Sequence, residues 1–233
     1  MAKDNSKLDK SKELLLINFK TYETSVGKSA LNLARQIERA AEETGIGISV
    51  GIAVQPSDIR LFSDLSLPVF SQHIDPVNFG AKTGHILPEA VFDAGAAGSL
   101  VNHSERQLDL EVIDKTIKRA KETDLISIVC ASTPKMSAAI ASMSPDFIAI
   151  EPPELIGGEI SVSVANPDII TDTINSVHEL DETIPVLCGA GVKNAKDVSI
   201  ARSLGSKGIL VASGVTKAND PKAAVIDLIN GFK

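Results

Sequence analysis

The chain has 233 residues, a net charge of −7, 43% hydrophobic residues and only 3% aromatic ones, with no tryptophan. The acidic balance argues against nucleic acid or an acidic membrane surface as partner, and no apolar run approaches the roughly 18 residues of a membrane span. A core this short of rings has to be packed from Val, Ile, Leu and Ala, which fill the interiors of parallel sheets.

Residues 1–13 are rich in Lys, Asp and Ser, with no apolar segment. They read as a polar tail ahead of a single domain, 14–233. Leu14–Phe19 is the first apolar run, ending near Asn18 and Lys20. Val26–Glu43 has helical spacing, with Leu31, Ala34, Ile37 and Ala41 on one face, and Gly45 closes it. Ile48–Val54 is the second strand, broken at Pro56. Ser57–Ser63 reads as a short helix and Pro68–Gln72 as the third strand.

A polar loop, His73–Leu87, follows and contains Gly80, Thr83 and Gly84. Loops beyond about 12 residues in compact domains serve function or interfaces. Pro88–Ala94 is a helix opened by proline, and Gly98–Val101 is the fourth strand. That strand runs into Asn102-His103-Ser104-Glu105-Arg106. Asp109–Thr123 is an acidic-capped helix and Ile126–Cys130 the fifth strand. Thr133–Ser142 is a helix capped by Ser132 or Thr133.

Phe147–Ile150 is the sixth strand; it stops at Glu151 and at Pro152-Pro153, which cannot continue a strand. The loop beyond it has proline at one hinge and Gly157-Gly158 at the other, which suits a lid. Asn166–Leu180 is a helix with Asn166 as cap. Val186–Gly189, Asn194–Leu204, Gly208–Val211 and Asp220–Phe232 complete the alternation. Strand–helix units repeat about eight times, at about 29 residues each, and predict closure into a (β/α)8 barrel. No GxGxxG follows the first strand, which argues against an open dinucleotide-binding sheet. Cys130 and Cys188 lie in apolar runs without metal spacing, so buried, reduced thiols in the cytoplasm are expected.

Barrel active sites sit at the C-terminal ends of the strands. Here those ends carry Asn18 and Lys20, His103 and Glu105, and Glu151. The starting ends read as Gly, Pro and Ser. Gly189-Ala190-Gly191 and Ala212-Ser213-Gly214 lack bulk, so their backbone N–H groups can approach an anion where barrels commonly cradle phosphate. Taken singly, such glycines serve tight turns, a lone His is structural, and a terminal Lys or Glu is solvated. Together, a carboxylate base, a neutral imidazole and an ammonium suit proton abstraction next to a carbonyl. No cofactor or metal is expected, since His73 and His85 are too isolated from acidic partners for zinc.

Four segments carry a family resemblance: Asn18-Phe19-Lys20; Asn102-His103-Ser104-Glu105-Arg106; Ile150-Glu151-Pro152-Pro153 with Ile156-Gly157; and Cys188-Gly189-Ala190-Gly191-Val192. From about Leu14 to its end the chain resembles triosephosphate isomerases, in particular the compact archaeal branch. The resemblance implies interconversion of dihydroxyacetone phosphate and glyceraldehyde 3-phosphate in glycolysis and gluconeogenesis, without cofactor. It implies that Glu151 moves the proton, His103 serves the substrate oxygens, and Lys20, with Asn18 beside it, stabilises negative charge. Glu105 would hold Lys20, Ile156 would lie in the lid, and Gly191, Ala212 and Ser213 would bind phosphate through backbone N–H groups. Thr83 and Gly84 match a segment used at subunit contacts, and a homotetramer, alternatively a homodimer, is implied. The chain departs from the family at Gly157-Gly158-Glu159, where Glu159 replaces a lid glycine, and at Arg106-Gln107, where an arginine pair is halved. The alternatives are another sugar-phosphate barrel enzyme, such as an epimerase or lyase, and a phosphometabolite-binding scaffold with no activity.

Overall fold

The computed structural model describes residues 8–152 and 165–233. Its eight strands are β1 Leu14–Asn18, β2 Ser49–Val54, β3 Val69–Ser71, β4 Gly98–Val101, β5 Ile126–Ala131, β6 Phe147–Ile150, β7 Val186–Cys188 and β8 Gly208–Val211. They pair in parallel in chain order, and β8 returns to β1, so the sheet is a closed barrel. Around it lie helices α1 Gly27–Thr44, α2 Pro88–Asp93, α3 Leu110–Glu122, α4 Pro134–Ala141, α5 Pro167–His178, α6 Ala195–Ser203, α7 Ser213–Thr216 and α8 Pro221–Asn230.

Side chains alternate across each strand, and in a closed barrel both faces are covered. Leu14, Leu16, Ala53, Phe70, Leu100, Ile128, Cys130, Phe147, Ala149, Leu187 and Leu210 pack together inside. Their strand neighbours, such as Leu15, Ile17, Val129 and Ile148, pack outward against the helix layer. That is why the strands read as unbroken apolar runs. The buried stripe of α1 is Ala30, Leu33, Ala34, Ile37 and Ala40, with Leu31 and Ala41 at its margin.

Helix starts follow the sequence in part. Thr133 Oγ1 accepts the Met136 N–H at 3.1 Å, Asn194 Oδ1 that of Asp197 at 3.0 Å, and Asp220 Oδ1 that of Ala223 at 3.0 Å. The expected caps Asn166 and Asp109 make no such bond; α5 begins instead on Pro167, whose missing N–H needs no acceptor. The expected helix 57–63 tightens into a 3-10 turn, Ile59–Phe62. The Gly-containing stretch after β8, expected as a turn, winds into the single-turn α7.

The starting end of the strands is not the uncharged rim that the sequence implied. Glu13, just before β1, forms a two-pronged pair with Arg202, at 2.7 and 3.1 Å. Asp146, just before β6, accepts from Ser127 N–H at 2.8 Å and pairs with Lys10. Residues 8–13 thus reach from β1 toward β6 across this mouth. Leu8 is only 6% exposed and joins the interior cluster beside Leu14 and Phe147.

Full burial of a leucine contributes about 1.5–3 kcal/mol, and each kcal/mol moves Tm by about 2–4 °C in a domain of this size. Leu8→Asp also forces a carboxylate into an apolar layer. We expect it to lower Tm by about 5–10 °C; a thermal melt identical to wild type would show that Leu8 adds nothing to the core.

Candidate active site

At the opposite mouth a cleft is lined by Asn18, Lys20, Tyr22, His103 and Glu151 together with residues 189, 191–193 and 210–214. Each catalytic-type side chain arrives there for a local reason.

Glu151 follows the inward parity of Phe147 and Ala149 and emerges at the rim. Its N–H continues the ladder to Ala131 O at 2.8 Å, which fixes the backbone. The side chain is buried, 4% exposed, and Oε2 has no hydrogen-bond partner among the described residues. Burial pushes its carboxyl above the ordinary carboxylate range, although the adjacent His103 ring, a bond from the Cys130 thiol and the Lys20 ammonium oppose the shift. Burial and the neighbouring carboxylate push the Cys130 thiol well up as well. A Cβ on Gly189 would lie 2.5 Å from Glu151 Cγ and 3.1 Å from Ile150 O, so only glycine leaves room for this side chain.

His103 reaches the cleft by breaking parity. Leu100 points inward and Val101 outward, so regular continuation would turn His103 outward. Asn102 instead adopts the left-handed region, φ 59°, which asparagine tolerates better than most residues. Its amide ties the kink down: Nδ2 donates to Cys130 O at 2.9 Å, and Oδ1 accepts the Leu108 N–H at 2.8 Å. His103 is 8% exposed, and its Nδ1 accepts the Glu105 N–H at 3.2 Å. A ring nitrogen that accepts carries no proton, so the neutral ring holds its proton on Nε2. That nitrogen lies 3.6 Å from Glu151 Oε1, beyond hydrogen-bond length.

Lys20 also sits at positive φ, 49°. Its N–H donates to Asn18 Oδ1 at 3.0 Å, and Asn18 itself is buried. Nζ, on a side chain 11% exposed, donates to Glu105 Oε1 at 2.8 Å. Glu105 stands out in solvent, so it steadies Lys20 without consuming all of its donors. Gly191 takes φ 71°, which glycine adopts without strain, and Ala212 and Ser213 lead into α7. All three line the cleft.

The structure therefore gathers Asn18, Lys20, His103, Glu151, Gly191, Ala212 and Ser213 at one mouth, with Glu105 behind Lys20. Ile156, Gly157, Gly158 and Glu159 lie outside the described residues. The sequence did not single out Tyr22, whose ring receives Lys217 Nζ at 4.2 Å, nor Lys193. It read Cys130 only as buried, though Cys130 shares the inward parity of Ile128 and so had to lie near Glu151. His73 pairs with Asp75 at 3.1 Å, and Asp75 in turn accepts the Ile86 N–H at 2.6 Å, closing the long loop at its base. Among the described residues no group of three His, Cys, Asp or Glu side chains could hold a metal, and no helix is long and apolar enough to cross a membrane.

Comparison with known proteins agrees with this layout. The sequence model of the family described as Triosephosphate isomerase matches residues 13–232. The triosephosphate isomerase of Methanobacterium bryantii is 46% identical over 95% of this chain and 97% of its own length. That of Methanothermus fervidus is 47% identical over 93% and 97%. The crystal structure of triosephosphate isomerase from Bartonella henselae superposes with a TM-score of 0.73 at 16% identity, covering 95% of this chain and 98% of that one, which speaks to the fold alone.

The raised Glu151 carboxyl has a stability consequence with a definite sign. Its folded pKa lies above its unfolded one, so the ionised form opposes folding. Glu151→Gln removes that penalty. We expect the variant to melt above wild type at pH 8, and the difference to vanish below the ordinary glutamate pKa, where both states are neutral. A gain that grew as pH fell would contradict the assignment.

Proposed function

Because the chain belongs to the triosephosphate isomerase family, we propose that it interconverts dihydroxyacetone phosphate and D-glyceraldehyde 3-phosphate through an enediolate. The observation that carries the reading is a buried carboxylate oxygen without a partner among the described residues, beside a histidine Nε2 and a lysine ammonium in one cleft.

Glu151 is the base. Its raised pKa keeps it reactive as a proton carrier, and its Oε2, without a partner among the described residues, is open to a C–H group. It takes the proton from one substrate carbon and returns it to the next. His103, neutral and with its proton on Nε2, donates to the substrate oxygens as charge moves between them; the Glu105 N–H at Nδ1 supports that tautomer. A glutamate base working beside a neutral histidine is the known pattern of this family, so the division of roles comes to the chain by inheritance. Lys20 stabilises the developing oxyanion, Asn18 shapes its turn, and Glu105 holds its ammonium. The backbone N–H groups of Gly191, Ala212 and Ser213 bind the phosphate; their place on the cleft wall and the absence of bulk there support the assignment.

The same reading carries a cytoplasmic place in glycolysis and gluconeogenesis, with which two free, buried thiols agree. It also carries assembly into a homotetramer, or alternatively a homodimer. Supporting assembly, the long loop is pinned at its base while Thr83 and Gly84 are exposed and Phe79 is 75% exposed.

A coupled assay on purified protein should record triose phosphate turnover that survives EDTA and dialysis; an inert protein would end the proposal. Glu151→Asp should lower kcat by about 100-fold or more, because the shorter arm withdraws the base by ~1 Å. Near-normal turnover in that variant would take Glu151 out of its role. His103→Gln should lower kcat with a smaller change in KM, and an unchanged kcat would exclude His103 from the chemistry.

A further inference from the structure

We propose that Gln72 is a positioning residue for Lys20: its side-chain amide holds the left-handed turn that aims the ammonium into the cleft. The inference rests on the isomerase reading of the same site.

Lys20 has no short polar side chain with which to stabilise positive φ by itself, so something outside must hold a backbone that its Cβ disfavours. The N–H side of the turn is held by Asn18 Oδ1 at 3.0 Å. Its carbonyl side is held by Gln72, whose Nε2 donates to Lys20 O at 2.9 Å. The same nitrogen donates to Ala53 O at 3.2 Å and lies 3.4 Å from Asn18 Oδ1. These acceptors are not scattered. Ala53 is the register partner of Asn18 across β1 and β2, and Ala53 O also receives the Phe19 N–H at 2.9 Å. One amide therefore bridges the ends of two strands and the turn that leaves them.

Gln72 is itself anchored. It follows the last residue of β3, and its N–H donates to Val54 O at 2.9 Å. The side chain so reaches back over the end of β2 to the turn after β1. Two N–H donors serve three oxygens, so no acceptor atom could replace the amide nitrogen here. Downstream of the turn, the contact that steadies Nζ is Glu105, which is solvent-exposed and by itself a weak tether. The direction of Lys20 is thus set mainly at its backbone, and Gln72 is the side chain from another strand that sets it.

The test is a pair of substitutions with the donors removed. Gln72→Met keeps length without hydrogen bonds, and Gln72→Glu places a carboxylate against three acceptors. Gln72→Met should lower kcat/KM by about 10-fold or more, and Gln72→Glu further. Each is made again in a Lys20→Ala background. If Gln72 acts through Lys20, Gln72→Met costs nothing more there, because the group it aims is gone. A merely structural role would give the same fold loss in both backgrounds, tracking any fall in Tm. Wild-type kcat/KM in Gln72→Met, or equal losses with and without Lys20, would overturn the inference. A wild-type protein without triose phosphate turnover would instead sink the isomerase reading, so the two failures are distinguishable.

Discussion

The burial of one carboxylate governs the rest of this structure. Glu151 is taken out of water at the rim of a barrel packed mainly with apolar side chains, and burial is the largest influence on its protonation. Such a group opposes folding unless neighbours offset it. Three do so in part: the His103 ring, the Cys130 thiol and the Lys20 ammonium. None saturates it, since Oε2 keeps no partner among the described residues. The carboxylate is held between two limits. It is too well neighboured to be expelled and too poorly bonded to be inert. Gly189 provides the room, because any side chain there would collide with Glu151 Cγ.

The partners of Glu151 cannot all be supplied by regular strands. Alternation along a strand would put Asn102 inward and His103 outward. The barrel corrects this with a left-handed residue at the end of β4, and Lys20 adopts the same region just past β1. Non-glycine residues in that region are strained, and they persist only where surroundings over-determine them. Both turns are pinned by a side-chain amide that reaches a neighbouring strand end: Asn102 to Cys130 O, and Gln72 to Ala53 O and Lys20 O. The closed sheet matters here in a second way. Because every strand end has a neighbour on each side, a kink in one can be tied to the backbone of the next. An open sheet edge would leave such a turn with water as its partner.

How much of this could be read from residues alone follows from the same physics. The barrel was legible because both faces of each strand are buried, which writes eight short apolar runs between helical stretches. Glu151 was legible because a carboxylate closing such a run, followed by Pro152-Pro153, has only the rim to occupy. His103 was legible from its motif and its place after β4, but not from strand periodicity, which would have turned it away. Gln72 was not legible, since its role lies in where its amide reaches and its neighbours in the chain give no hint. Leu8 failed for the opposite reason: one leucine among Lys, Asp and Ser looks like a tail, and only the tertiary fold shows the apolar cluster that it joins. The expected caps at Asn166 and Asp109 were local rules that local geometry did not follow.

The two mouths of the barrel differ in satisfaction and not in charge. At the starting end, Glu13 receives a two-pronged guanidinium, and Asp146 receives Lys10 together with the Ser127 N–H. Each of those carboxylates is matched, and Leu8, the first residue of the crossing segment, is buried there. At the other end the most deeply buried carboxylate keeps one oxygen without a partner among the described residues, and His103 Nε2 stands 3.6 Å from the other. A fold selected for stability alone would exchange these arrangements, pairing the buried group and leaving the half-buried ones to water. Keeping the deficit inside the cleft leaves a hydrogen-bonding and proton-accepting capacity there. The paired end supplies the stability against which that deficit is set.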